Sequence, residues 1–129
     1  MFIGLNPSTA DETQDDPTVR RCIRYAQSWG YSALYMTNIF AYRATDPKVM
    51  KGAFDPVGPD NDETLIRLAA DAGIVVAAWG NHGTHHGREN VVRHFARFVK
   101  RLHVLKLTKG GHPCHPLYLK ADLKPKRWE

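Results

Sequence analysis

Asp60-Asn61-Asp62-Glu63-Thr64-Leu65-Ile66-Arg67-Leu68-Ala69-Ala70-Asp71-Ala72 runs directly into Gly73-Ile74-Val75-Val76-Ala77-Ala78-Trp79. The first part reads as a helix. Asp60 stands at the cap position and Glu63 three residues later, the spacing of a capping box. Leu65, Ile66, Leu68, Ala69 and Ala72 then supply one buried face. Gly73 stops the helix, and Ile74 to Trp79 is a short, unbroken apolar run that reads as a buried strand.

The same alternation extends in both directions. Phe2 to Leu5 is an apolar strand ended by Asn6-Pro7-Ser8, because proline cannot donate to a ladder. After a polar loop from Thr9 to Asp16, Asp16-Pro17 forms a helix start, a carboxylate cap with proline at the first helical position. Val19, Cys22, Ile23 and Ala26 recur at helical spacing up to Gly30. Ala33 to Phe40 reads as a second strand. Ala41 to Pro59, with its Asp-Pro and Gly-Pro pairs, reads as a long loop of the kind that is usually functional or mobile. Beyond Trp79 come a polar loop (Gly80 to Gly87) and a helix marked by Val91, Val92, Phe95, Phe98, Val99 and Leu102. The opposite face of that helix carries Arg93, Arg97, Lys100 and Arg101. A fourth strand (His103 to Leu107), a Gly-Pro-His loop (Thr108 to Pro116) and a basic tail (Lys120 to Glu129) complete one domain over residues 1–129. Strands alternating with helices predict a four-stranded parallel sheet with helices on both faces, a three-layer α/β/α domain of right-handed crossovers.

Composition narrows the class. With 43% apolar and 24% charged residues in 129, the chain is neither disordered nor collagen-like. No apolar run reaches the roughly 18 residues that span a membrane, and Met1 to Leu5 lacks the basic start of a signal peptide. A cytoplasmic monomer is expected. Cys22 and Cys114 are too few for an iron–sulfur cluster or a disulfide framework, and no cofactor is expected. The formal charge of +5 favours a polyanionic partner such as nucleic acid or a nucleotide.

Open parallel sheets bind ligands beyond the carboxyl ends of their strands. The residues predicted there are Asn6-Pro7-Ser8, Asn38 with Arg43, Gly80-Asn81-His82, and Gly110-Gly111-His112-Pro113. Gly4 permits close approach of a ligand or another backbone. Asn6 either orients a water or starts a turn. Asn38 is an amide inside an apolar strand, costly unless bonded, to a ligand edge or to a neighbouring loop. Phe40 either stacks on a base or fills the core, and Trp79-Gly80 is a pocket floor or a strand end. Asp11, Asp15 and Asp16 could serve a metal, but capping and solvation explain them more simply. The same holds for His82, His85 and His86 as zinc ligands. In Gly110 to Leu117, prolines restrict two histidines on either side of Cys114. A rigid His112 at a strand end suits hydrogen bonding to a developing anion. Cys114 as a nucleophile is the weaker reading, since adjacent side chains point apart.

Six stretches together resemble DUF1643, a bacterial and phage family of unknown function, across roughly residues 2–119. They are L-N-P-S-T-A-D (Leu5 to Asp11), D-D-P-T-V-R-R (Asp15 to Arg21), N-I-F-A-Y-R-A-T-D-P (Asn38 to Pro47), V-G-P-D-N-D (Val57 to Asp62), Trp79-Gly80 and G-H-P-C-H-P-L-Y-L (Gly111 to Leu119). Members carry sequence before the first of these strands, so the resemblance implies an N-terminally truncated chain. By motif placement the family is in turn similar to the uracil-DNA glycosylase superfamily. Gly4-Leu5-Asn6-Pro7 is similar to the G-I-N-P motif of mismatch-specific glycosylases, whose Asn positions the attacking water. Thr37-Asn38-Ile39 is similar to the strand whose Asn reads the uracil edge. His112-Pro113 is similar to the H-P-S motif, whose His stabilises the departing base, and Cys114 to Leu117 occupy the loop that enters the minor groove. Two departures stand out. Asn6 occupies the place of the acidic residue of the most active glycosylases, and the loop reads H-P-C-H-P-L-Y-L instead of H-P-S-P-L-S.

The resemblance implies a glycosylase-like fold and N-glycosidic hydrolysis on a nucleobase in DNA or a nucleotide. Asn6 and His112 would be catalytic. Gly4, Ser8, Asn38, Phe40, Arg43, Trp79, Gly80, Pro113 and His115 would bind substrate, with no metal. Arg20, Arg21, Arg43 and the tail would hold the nucleic-acid backbone. The alternative is a catalytically silent nucleotide- or DNA-binding module on the same fold. A metal-dependent hydrolase using His82, His85 and His86 is a weaker third.

Overall fold

Asp16 turns the chain into its first helix. Its Oδ1 accepts hydrogen bonds from the amides of Thr18 (2.9 Å) and Val19 (3.2 Å), and Pro17 sits where no intrahelical N–H is needed. Helix α1 then spans Pro17–Ser28. Asp16→Ala is expected to cost about 1 kcal/mol, read as a lower urea midpoint at unchanged m. The computed structural model describes residues 1–9 and 16–129. The expected loop from Thr9 to Asp16, including Asp11 and Asp15, therefore lies largely outside the described residues.

The remaining elements follow in order: β1 (Phe2–Gly4) before α1, then β2 (Met36–Asn38), α2 (Pro47–Lys51), α3 (Asn61–Asp71) and β3 (Val75–Ala77). A kinked 3-10 segment (Asn81–Gly87), α4 (Arg88–Ala96), β4 (Leu102–Val104) and β5 (Lys126–Arg127) complete the chain. The sheet order is β2-β1-β3-β4-β5. The first four strands are parallel, with Gly4 opposite Asn38, Ile3 opposite Ala77 and Val76 opposite His103. The expectation of four strands is corrected to five. Lys126–Arg127, from the basic tail, pairs antiparallel with β4, and the Trp128 amide donates to the Leu102 carbonyl (2.9 Å). A two-residue charged edge strand has no alternating apolar signature, and an antiparallel edge on a mostly parallel sheet is common.

Local chemistry also departs from expectation at two helices. The loop from Ala41 to Pro59 contains α2, capped by the Asp46 carboxylate on the Lys48 amide (2.9 Å) with Pro47 at the first position. The capping box at Asp60 does not form, since Asp60 makes no side-chain cap bond. The next two residues are used for tertiary contacts instead. Asn61 Nδ2 donates to the carbonyls of Asn38 (2.9 Å) and Ile39 (3.1 Å). Asp62 pairs with Arg88, whose Nε also donates to the Ile39 carbonyl (2.7 Å). Arg88 is only 3% exposed, so α3, α4 and the end of β2 are clamped by one buried guanidinium.

Alternation along the strands sorts the core into two clusters. Phe2, Val76 and Ala78 pack with Cys22 and Tyr25 of α1. Ile3, Val75 and Ala77 pack with Leu65 and Ala69 of α3 and Val92 and Ala96 of α4. The chain is therefore a mixed α/β domain with a mostly parallel sheet. Among the described residues, no helix is long and apolar enough to cross a membrane.

Candidate functional site

On the α1 side of the sheet, just past β1 and β2, lies a cavity of about 420 Å³. That is within the range of small-ligand sites. Six of the residues singled out from sequence line it: Gly4, Asn6, Ser8, Asn38, Arg43 and His115. Phe2, Cys22 and Ala78 contribute apolar wall.

The Gly4–Asn38 register pair fixes the chemistry at the sheet end. A Cβ on Gly4 would stand 2.9 Å from Asn38 Oδ1, closer than real side chains tolerate, so glycine makes room for the amide. No hydrogen bond among the described residues engages the Asn38 side chain, while its main-chain carbonyl is held by Asn61. An amide on a fixed backbone, with donor and acceptor both unused, is equipped to read a ligand's amide edge. Gly4→Ala should displace this amide. A fall in ligand affinity of tenfold or more, with a loss of stability under about 2 kcal/mol, is the expected result from titration calorimetry and thermal melting.

Asn6 is half-committed. Its Nδ2 donates to the carbonyls of Ala44 (2.8 Å), Tyr42 (3.2 Å) and Pro7 (3.3 Å), which ties the turn after β1 to the loop before α2. The turn reading thus accounts for its nitrogen. Its Oδ1 has no hydrogen-bond partner among the described residues and remains an acceptor. Arg43 Nη1 donates to the Ser8 carbonyl (2.6 Å), closing the same corner.

His115 has a defined donor. The Leu117 amide donates to its Nδ1 (3.2 Å), so the neutral ring carries its proton on Nε2. The ring keeps an exposed edge, yet its protein surroundings remove enough hydration to lower its pKa, opposed by the charge of Asp16. Burial pushes the Cys22 thiol up to about 12, so it lines the cavity as a neutral thiol and not as a nucleophile.

The other predicted residues go elsewhere. His112 is not among the residues lining this cavity. Its Nδ1 lies 2.9 and 3.0 Å from the two Glu89 oxygens, and Trp79 Nε1 donates to the same Glu89 Oε1 (2.9 Å). Trp79, 2% exposed, belongs to the core cluster on the α3–α4 side, as does Phe40, which is fully buried and tilts against His85 (5.8 Å between centroids). The core reading of Phe40 describes its position. The Gly80 amide donates to the Pro113 carbonyl (2.7 Å), tying the end of β3 to the His-Pro loop. Gly80 and Gly111 take positive φ (75° and 83°), which glycine permits.

Glu89, Arg88 and Asn61 escaped the sequence reading. The signal available for Glu89 was an acid in the first turn of a helix, which surface helices show routinely. Among the described residues, no group of three or more His, Cys, Asp or Glu is placed to share a metal ion. His82 Nδ1 instead meets Lys51 Nζ (2.8 Å). The His85 and His86 rings lie 3.9 Å apart.

No curated protein and no solved structure gives a significant match to the chain. A family model does match residues 1–117, which takes in both the cavity and the Glu89–His112 pair. The chain belongs to DUF1643, a protein family of unknown function.

Proposed function

We propose that the cavity holds a nucleobase, and that the chain acts on it by N-glycosidic hydrolysis in DNA or a nucleotide. The frame would be a three-layer α/β/α domain of uracil-DNA-glycosylase type. The observation that carries this reading is the Asn38 amide, unpartnered among the described residues, held over Gly4 on the lining of a cavity large enough for a nucleobase. Such an amide can donate to a base carbonyl and accept from a ring N–H.

Hydrolysis at this site breaks the C1′–N bond, and the electron pair leaves with the base. A water oxygen bonds to C1′, and the proton it loses passes through solvent to the departed base. The protein's part is to bind, orient and supply charge stabilisation. Asn6 Oδ1 accepts a hydrogen bond from the water. His115 Nε2–H donates to the base oxygen as negative charge develops. This gives His115 the role that the motif resemblance assigns to His112, because His115 borders the cavity and has its donor on Nε2. His112 instead directs its Nδ1 at the Glu89 carboxylate and is not among the residues lining the cavity.

The second reading, a binding module without catalysis, is favoured by two observations. Asn6 Nδ2 is saturated by three carbonyls, and Asp16 Oδ1 is occupied as a helix cap. Incubating the protein with oligonucleotides carrying uracil, hypoxanthine, xanthine or mismatches decides between them. Release of free base that is lost in Asn38→Ala supports the enzyme. Base or nucleoside binding sensitive to Asn38→Ala, without release from any substrate, establishes the module. Neither binding nor release rejects the nucleobase reading.

A further inference from the structure

A second concavity, of about 580 Å³, lies at the other edge of the sheet between α4 and β5. Arg93, His94, Arg97, Arg101, Arg127 and Trp128 line it. We propose that this groove binds the phosphodiester backbone of a single-stranded nucleic acid segment, with Phe98 at its margin as a stacking platform.

Four guanidinium groups converge there from three parts of the chain. Arg93 and Arg97 are one helical turn apart on α4 and its C-terminal cap, Arg101 precedes β4, and Arg127 lies on β5. The side chains of Arg97, Arg101 and Arg127 make no ion pair or hydrogen bond among the described residues, and all three are exposed. Glu129 is the one acidic residue in the lining. Its main-chain carbonyl accepts from Arg93 Nη2 (3.0 Å). Cations in the last turn of a helix are favoured by its dipole, but that explanation does not reach Arg101 or Arg127, which lie outside α4.

The chemistry favours phosphate esters over other anions. All four cations are arginines, whose planar forks suit phosphate oxygens. Arg93 is preorganised, its guanidinium carbon lying 3.9 Å from the centroid of the Trp128 ring. Phe98 is 74% exposed, with Arg97 over its ring at 5.0 Å and His94 against its edge at 5.6 Å. An exposed aromatic beside a basic groove is the arrangement that holds unpaired bases without reading their sequence. A concave groove also fits one strand better than a flat lipid surface. The inference needs no chemistry at the cavity and stands if no base is ever released.

The test is fluorescence anisotropy of the full chain with a labelled, mixed-sequence DNA 20-mer from about 50 to 200 mM salt, where counterion release is readily measured. In Arg97→Ala/Arg101→Ala/Arg127→Ala the affinity should drop at least tenfold at the low-salt end. The slope of log K against log salt should shrink by roughly 2. Arg24→Ala/Arg67→Ala/Lys124→Ala removes equal charge elsewhere and should bind nearly as wild type. Phe98→Ala should lose roughly tenfold at unchanged slope, because stacking releases no counterions. Equal losses in both triple variants would reduce the effect to diffuse net charge and overturn the site, as would wild-type affinity in the groove triple. Unaltered binding in Phe98→Ala overturns the single-strand assignment. Full displacement of the DNA by pyrophosphate at matched ionic strength would assign the groove to small phosphates. Binding to anionic phospholipid vesicles but not to DNA would assign it to membranes.

Discussion

Under the proposed reaction, His115→Ala lowers the single-turnover rate of base release by about 10²–10³, the usual loss when one donor to a developing oxyanion is removed. The argument rests on which ring nitrogen carries the proton. At His115 the Leu117 amide occupies Nδ1, so a neutral ring has its N–H on Nε2. Desolvation lowers the pKa of this histidine below its ordinary value of 6.5, so at neutral pH it is an uncharged donor.

The rate should accordingly be flat through neutrality and change only as pH falls below 6.5, where the ring takes up a proton at Nδ1 and loses the Leu117 contact. The same shift has a stability consequence of fixed sign. The unfolded chain protonates His115 more readily than the folded one, so this contribution is complete above the unfolded pKa and is lost as pH falls on through the lower, folded pKa. His112→Ala should retain most of the rate, since its ring faces Glu89. A rate lost in His112→Ala and kept in His115→Ala would return the donor role to His112 and refute the tautomer argument.

The placement of the cavity was readable because a parallel sheet puts its loops at one end, and the polar residues after β1 and β2 were visible in the sequence. Gly4, Asn6, Ser8, Asn38 and Arg43 do meet there. What could not be read was the face of the sheet on which each side chain falls. Ala78 and Trp79 are adjacent, yet one packs with α1 and the other with the α3–α4 cluster. β2 ends at Asn38, so period two does not carry on to Phe40, and that ring enters the opposite core. His112 and His115 sit on a loop turned by Gly111 at φ 83°. Three residues there suffice to send one imidazole to Glu89 and the other to the cavity. β5 was invisible for a different reason. It is held by Trp128 and by backbone pairing, and neither leaves a pattern in two charged residues.

The Glu89 carboxylate is where the largest loss of stability is expected. It is 6% exposed and sits in the first turn of α4, where the helix dipole favours a negative charge. Two N–H donors converge on it, the buried Trp79 Nε1 and the part-buried His112 Nδ1. Glu89→Ala removes the acceptor from both at once. Each orphaned donor costs about 1–3 kcal/mol, so a total of roughly 3 kcal/mol or more is expected. For a domain of this size that is a drop of about 10 °C in Tm. Glu89→Gln should fall between, since its carbonyl oxygen can still serve Trp79 while its NH₂ opposes a His112 Nδ1–H. The double variant Glu89→Ala/His112→Ala should be less destabilised than the sum of its parts by about 0.5–3 kcal/mol, because the second substitution removes one of the two orphans. Strict additivity in that cycle, measured by denaturant unfolding, would show that His112 draws no stability from Glu89. The carboxylate would then serve Trp79 alone.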